Sequence, residues 1–224
     1  MKNRKSGDAG IKYDPAQVRI HEAYAVAIRD LGVHGEGIGS VDGFTVFVHG
    51  ALPGEMVTAG ITLLKRSYAV GKLLSIEQES PFRTMPECSV YEHCGGCQLS
   101  HLTYEGQLDM KYRRVKDVIE RIAGESGDLV RPVLPAAHPF AYRNKMAVPA
   151  GLVKGKAALG CYRRGSHDII PVSSCAIQKE ENNRLLRFAR RFIEKYGISV
   201  YDEKTRKGSC LLYTSPSPRD GATS

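Results

Sequence analysis

The segment from Cys88 to Cys97 places three thiols in one short loop, with the spacing Cys-x₅-Cys-x₂-Cys. A fourth cysteine lies far downstream, after the residues Pro-Val-Ser-Ser. Three clustered thiolates and one distant thiolate can close a tetrahedral cage around a metal ion or an iron–sulfur cluster. Gly95 and Gly96 favour the sharp turn that lets two sulfurs face one centre. The predicted metal ligands are Cys88, Cys94, Cys97 and Cys175.

The N-terminus of this 224-residue chain is basic and polar, without the apolar run of a signal peptide. No stretch approaches the roughly 18 apolar residues of a membrane span, so we expect a cytoplasmic protein with no membrane partner. In a reducing compartment, clustered cysteines bind metal more often than they form disulfides. Cys161 and Cys210 lie outside the cluster. We interpret Cys161 as a small buried hydrophobic residue.

The net charge of +8 and the pI of about 9.2 favour a polyanionic partner, with nucleic acid first among the candidates. The hydrophobic content of 42% and the charged content of 25% are ordinary for a globular chain. Charge alone is a weak indicator, so the kind of nucleic acid depends on the motifs.

Short β-like runs fill residues 18–77, after a basic tail over residues 1–17 that we expect to be disordered. Residues 23–31 are predicted as the first strand, and Asp42-Gly43 suits a type I′ hairpin turn. About five short strands in about sixty residues predict a small β-barrel of the OB kind. Such barrels bind oligonucleotides through basic and aromatic side chains.

Residues 78–208 are predicted to form a mixed α/β domain that contains the cysteine loop. A helix is predicted over residues 104–123, between an N-cap at Thr103 and a stop at Gly124. Strands are predicted over residues 145–149, 157–162 and 168–172, with a turn at 151–155. A second helix, over residues 180–196, has an apolar stripe that we assign to the core: Leu185, Phe188, Ala189, Phe192 and Ile193.

The cysteine spacing leaves the identity of the metal open. Cys-x₂-Cys pairs are common in zinc sites, but these usually come as two paired knuckles, and here the second pair is missing. A [4Fe–4S] cluster is the alternative. The spacing does exclude the Cys-x₃-Cys-x₂-Cys pattern of radical-SAM enzymes.

Two groups of motifs resemble known families. Gly35-Glu-Gly37-Ile-Gly39, Asp42-Gly43 and Leu52-Pro53-Gly54-Glu55 resemble the TRAM domain. The cysteine loop, together with Tyr142-Arg143-Asn144-Lys145 and the run from Gly160 to Cys175, resembles the iron–sulfur region of the RNA uracil-C5 methyltransferases. The resemblance covers about residues 18–208.

This resemblance implies an S-adenosyl-L-methionine-dependent enzyme that methylates C5 of a uridine in 23S rRNA, with a [4Fe–4S] cluster on the four cysteines. In the family, a later Rossmann-like domain holds the methyl donor, a nucleophilic cysteine that adds to C6 of the uracil and a general base. No motif of that domain matches this chain. We therefore assign no catalytic residue and expect an N-terminal fragment that is inactive alone, with a disordered or foreign tail over residues 209–224.

The predicted fold class is α+β, with a TRAM barrel followed by an iron–sulfur α/β domain. The expected partner is RNA, 23S rRNA first and tRNA second, and the chain is expected to be a monomer. The alternative is a stand-alone, non-enzymatic RNA-binding protein with a structural four-cysteine metal site. The predicted RNA contacts are Lys65, Arg66, Tyr68, Arg143, Lys145, Arg163, Arg164 and His167.

Overall fold

The computed structural model describes residues 18–202 and 205–214, which belong to two compact units that divide after Arg83. The first unit is a β-sheet, and the second combines helices with a smaller sheet, in agreement with the α+β prediction. The basic tail predicted over residues 1–17 lies outside the described residues. The division after Arg83 falls a few residues beyond the predicted domain end at residue 77.

Six strands form the sheet of the first unit, in the order β1-β5-β6-β4-β3-β2. All neighbours are antiparallel except β4 and β6, which are parallel. In β4 the buried Phe44, Val46 and Val48 alternate with more exposed residues, as the two-residue period of a strand requires. The strands are β1 (Ala23–Ala27), β2 (Asp30–Leu31), β3 (Glu36–Val41), β4 (Phe44–His49), β5 (Met56–Leu64) and β6 (Tyr68–Gln78).

The sheet curls, because β1 and β3 approach each other without being sheet neighbours. A side chain on Gly39 would clash with Val26 and with the carbonyl of Ala27, so only glycine permits this approach. The curl encloses a core of valine, isoleucine, alanine and phenylalanine side chains. The sequence predicts a small OB-like barrel of about five strands; the structure has six strands in one sheet that curls around its core.

The turn between β3 and β4 confirms the predicted hairpin. Asp42 and Gly43 have φ angles of 47° and 84°, the left-handed values that a type I′ turn requires. The strand predicted over residues 23–31 is wrong in one respect, because it breaks after Ala27. There the amide of Ile28 donates to the carbonyl of Glu55, so β1 pairs with β5 while β2 pairs with β3.

A buried ion pair fixes the segment after β6 to the turn before β5. The carboxylate of Glu55, only 2% exposed, accepts hydrogen bonds from Arg83 Nη2 (2.8 Å) and Nε, and from the amides of Leu52 (2.8 Å) and Ser80 (3.3 Å). Arg83 Nη2 also donates to the carbonyl of Gly50 at 2.7 Å. The side chain of Glu55 therefore holds the turn at residues 50–55 and the segment at residues 80–83 together.

The second unit contains an antiparallel sheet in the order β10-β7-β8-β9 and two α-helices. The predicted strands are present with shifted ends, and Gly151 lies inside β7 rather than in the turn. The turn is made by Lys154 and Gly155, both with positive φ. The elements are α1 (Tyr104–Val118), β7 (Ala147–Val153), β8 (Lys156–Tyr162), β9 (Ile169–Pro171), α2 (Glu180–Lys195) and β10 (Leu212–Thr214).

Both predicted ends of the first helix are confirmed. Thr103 Oγ1 accepts a hydrogen bond from the amide of Gly106 at 3.2 Å, and Gly124 adopts the left-handed conformation with φ 70°. The last turn, Ile119–Ala123, is π-helical. The π-helical turn continues α1 beyond Val118, and Gly124 then ends the helix.

The core stripe predicted for α2 is wrong for three of its five residues, because Leu185, Phe188 and Phe192 are 44–58% exposed. Ile193 is buried and Ala189 packs against the core, as predicted, and Leu186 is buried with them. Two polar residues, Asn182 and Asn183, share the buried face with them. The helix is therefore rotated by about one residue from the predicted orientation, because the two asparagines find hydrogen-bond partners inside the unit.

The tail predicted over residues 209–224 as disordered or foreign is ordered at its start, and its foreign origin stays a prediction. Leu212–Thr214 pair with Ala147–Pro149 of β7, and Cys210 lies beside Val200, so residues 209–214 are ordered against the sheet. Residues 215–224 lie outside the described part of the chain. Neither α-helix in the described ranges is long and apolar enough to cross a bilayer.

Candidate functional site

The cysteine loop lies along the end of β8. Its turn is closed by the amide of Cys94, which donates to the carbonyl of Val90 at 2.8 Å. The amide of Gly95 then donates to the carbonyl of Tyr162 at 2.9 Å, and Cys94 forms an isolated antiparallel bridge with Arg163. A Cβ on Gly95 would lie 2.9 Å from that same carbonyl, so this pairing requires glycine.

Cys175 is held by α2. Its amide donates to Asn183 Oδ1 at 3.0 Å, and Asn183 Nδ2 donates back to the carbonyl of Cys175 at 3.4 Å. Asn183 is only 4% exposed. Asn183 was not predicted as a site residue; the available indication was a polar side chain on the buried face of an amphipathic helix.

The four predicted ligands line one cavity of about 60 Å³, and a fifth cysteine lines it with them. The fifth is Cys161, in β8, which the sequence analysis interpreted as a buried hydrophobic residue. It is half-buried, and its thiol is hydrogen-bonded to that of Cys94. The remaining cysteine, Cys210, does not line the cavity.

The thiols differ in their acidity. The hydrogen bond from Cys161 lowers the pKa of Cys94 to about 6, with support from the amide of Gly96 and the charge of Arg164, although burial opposes the shift. The same hydrogen bond raises the pKa of Cys161. Burial raises the pKa of Cys97 and of Cys175. Most of these thiols therefore need a nearby positive charge, such as a metal, to ionise at neutral pH.

The described residues hold no group of three or more histidine, cysteine, aspartate or glutamate side chains arranged to hold a metal ion. The five cysteines nevertheless share one cavity and interact electrostatically with one another.

A larger cleft of about 640 Å³ lies next to this cavity. Of the predicted RNA contacts, Arg143 lines it. The sequence analysis missed Phe140 and Tyr142, which are 41% and 56% exposed there, and the basic Lys111 and His138. Two aromatic residues within the three positions before an arginine were the available indication.

The other predicted contacts in this unit are divided between two places. Arg163 and His167 line a separate cleft of about 540 Å³, where the His167 ring stacks on Tyr162 at a centroid distance of 5.0 Å. Arg164 instead donates from Nη2 to the carbonyl of Cys97 at 3.1 Å, so it supports the cysteine loop. Lys145 is exposed and lines neither cleft.

The three contacts predicted in the first unit lie at the turn between β5 and β6. Lys65 and Arg66 are exposed, and the amide of Lys65 donates to the carbonyl of Tyr68 at 2.8 Å. The ring of Tyr68 packs edge-on against Phe47, with centroids 5.5 Å apart. The structure therefore groups these three residues at the turn that connects two interior strands of the sheet.

A family model for the TRAM domain matches residues 17–74, which nearly coincide with the first unit. The chain carries a TRAM domain. The TRAM match ends at residue 74, so the relationship of the second unit to known proteins comes from comparisons with whole proteins.

Those comparisons give RNA methyltransferases. The chain is 46% identical over 192 residues to an uncharacterized RNA methyltransferase of Bacillus cereus, and 43% identical to one of Clostridium tetani. Each match covers 86% of this chain and 42% of the relative, so the chain spans less than half the length of these relatives.

A solved structure has a similar fold. It is the tRNA (uracil-54, C5)-methyltransferase of Pyrococcus abyssi in complex with S-adenosyl-L-homocysteine, with a TM-score of 0.63 and 24% sequence identity. The similarity covers 85% of this chain and 42% of that protein. At this identity the comparison supports the fold of the described units.

Proposed function

We propose that this chain is the RNA-binding and iron–sulfur portion of an S-adenosyl-L-methionine-dependent methyltransferase that acts on C5 of a uridine in 23S rRNA. The observation that carries the proposal is a shared wall: Gly96, Cys97, Arg143 and Ile177 line both the thiol cavity and the larger cleft. A group bound by the thiols would thus fix the shape of the cleft.

The cleft suits a single-stranded segment of RNA. Phe140 and Tyr142 offer faces on which unpaired bases can stack, and base–aromatic stacking is worth about 1–3 kcal/mol per base. Lys111, His138 and Arg143 supply donors for phosphate oxygens. Proteins recognise RNA sequence chiefly through unstacked bases of this kind, because the major groove of an RNA duplex is too narrow for side chains.

The donor set of the small cavity fits an iron–sulfur cluster. Five cysteines line the cavity, and the described residues of its lining include no histidine, aspartate or glutamate. Cysteine thiolates are the usual ligands of four-iron clusters. When bound, such a cluster would supply a rigid covalent tie between the cysteine loop and Cys175. The ligands we assign are Cys88, Cys94, Cys97 and Cys175.

The methyl-transfer chemistry is supported by the relatives named RNA methyltransferases. The Pyrococcus abyssi enzyme of similar fold was solved with S-adenosyl-L-homocysteine, the product of the proposed methyl donor. No residue of this chain is assigned to the methyl donor or to catalysis, so its own contribution is to bind and orient RNA. The group at the β5–β6 turn, Lys65, Arg66 and Tyr68, would give a second RNA contact in the TRAM domain.

Two substitutions in the cleft separate stacking from charge. We expect Tyr142→Ala to weaken binding of a single-stranded, uridine-containing RNA about tenfold without changing the salt dependence. Arg143→Gln should weaken it by a similar factor and reduce the slope of log affinity against log salt by about one, because one phosphate contact is lost. Fluorescence anisotropy titrations between low and physiological salt measure both quantities.

The matched control is Lys156→Gln, which removes a positive charge from an exposed position of β8 outside both clefts. It should bind RNA like the parent chain. If all three variants bind equally well, or if duplex DNA of the same length binds as tightly as the RNA, the cleft is not the RNA site.

A further inference from the structure

The cavity contains one thiol more than a four-ligand cluster uses. Cys161 lies on β8, directly across from Gly96 in the register set by the bridge between Cys94 and Arg163. A Cβ built on Gly96 would lie 3.4 Å from Cys94 Sγ and 3.7 Å from Cys161 Sγ. The missing side chain of Gly96 therefore leaves one small space that both sulfurs border.

The neighbouring groups direct Cys94 toward Cys161. The amide of Gly96 donates to Cys94 Sγ at 3.3 Å, and the thiols of Cys94 and Cys161 are hydrogen-bonded to each other. Cys97 is instead hydrogen-bonded to Ser100. The backbone pairing of Gly95 with Tyr162 keeps the loop and β8 in this register. Cys94 and Cys161 are thus already in contact with each other.

We propose that Cys94 and Cys161 are the site of a reversible disulfide that forms when the cavity holds no cluster and that prevents the cluster from being loaded. The second half of this inference rests on the proposed iron–sulfur function, because the disulfide removes the Cys94 ligand. The first half concerns the two thiols alone. In this proposal Cys161 is not a cluster ligand; it controls whether Cys94 is free to act as one.

Hydrogen peroxide is a sufficient oxidant. One sulfur of the pair attacks a peroxide oxygen and becomes a sulfenic acid, and one water leaves. The second sulfur then attacks the sulfenic sulfur, and a second water leaves as the disulfide forms. Two thiols are oxidised by two electrons, and one peroxide is reduced to two waters. A dithiol such as dithiothreitol reverses the bond by thiol–disulfide exchange.

The test is disulfide mapping of the reduced, metal-free chain after brief treatment with a small excess of hydrogen peroxide. We expect free thiols to fall from six to four per chain, and mass spectrometry with fragmentation to find the bond between Cys94 and Cys161. Dithiothreitol should restore all six thiols. Cys161→Ser should lose no thiol to this bond, and the matched control Cys210→Ser should form it as the parent chain does.

Iron loading is measured separately on the same proteins under anaerobic conditions. The oxidised parent chain should load iron only after reduction, whereas Cys161→Ser should load it before and after peroxide treatment. A Cys94–Cys97 or Cys94–Cys175 bond, over-oxidation without a disulfide, or failure of Cys161→Ser to load iron while the parent does would each overturn the inference. If no protein loads iron, the cluster proposal fails, and with it the loading consequence, while the mapping still decides the thiol pair.

Discussion

Replacing Glu55 with alanine is expected to destabilise the TRAM domain by about 3–5 kcal/mol, the usual cost of removing one partner of a buried ion pair. The substitution leaves Arg83 without its carboxylate and two buried amides, those of Leu52 and Ser80, without an acceptor. Hydrogen exchange of peptides from β4 and β5, followed by mass spectrometry, measures the loss in this unit alone.

The same carboxylate makes the stability of the first unit depend on pH, and the direction of this dependence follows from its pKa. Burial raises the pKa of Glu55, but the hydrogen bonds from Arg83, Leu52 and Ser80 outweigh it and hold the pKa below the ordinary value of 4.5. A lowered folded-state pKa stabilises the fold above pH 4.5, and this stabilisation is lost as the pH falls through the folded-state value. The parent chain should therefore lose stability in acid more steeply than Glu55→Ala does.

Glu79→Ala is the control, because Glu79 is an exposed carboxylate in the same unit, one residue from Ser80. It should change stability by no more than about 0.5 kcal/mol. If Glu55→Ala exchanges hydrogen as slowly as Glu79→Ala, the ion pair does not hold the unit together.

Replacing Cys175 with alanine is expected to abolish cluster binding. Cys175 is the ligand that comes from outside the cysteine loop, and Asn183 fixes its position from α2. With three thiolates left, we expect iron to fall from about four per chain to less than one, and the visible absorption of the cluster to disappear. Iron analysis of anaerobically purified protein measures this directly.

Cys210→Ala is the matched control, since Cys210 lies outside the cavity but also packs at the sheet of the second unit. It should retain its iron. Retention of the full iron content by Cys175→Ala would instead mean that Cys161 completes the ligand set.

Local features of the fold were predictable from local sequence. The Asp42-Gly43 turn, the Thr103 cap and the Gly124 stop each depend on the conformational preference of one or two residues, and each is present. The apolar stripe of α2 was predictable only in part, because Leu185 and Leu186 are adjacent, and periodicity alone cannot choose between two neighbouring stripes. The choice is made by Asn182 and Asn183, whose partners lie elsewhere in the unit.

The candidate site likewise combines features that local sequence predicts with features that depend on distant parts of the chain. The cysteine spacing predicted four thiols that the structure brings to one cavity. Cys161 joins them because the loop pairs with β8 across more than sixty residues of sequence, which no local pattern encodes. The cleft depends on Phe140 and Tyr142. These residues lie outside any helix or strand, and the packing around them sets their exposure.

The most direct test of the account is the iron, zinc and acid-labile sulfide content of the anaerobically purified chain, together with its visible spectrum. We expect about four iron and four sulfide per chain and no stoichiometric zinc. One zinc per chain without sulfide would contradict it and would favour a non-enzymatic RNA-binding protein with a structural metal.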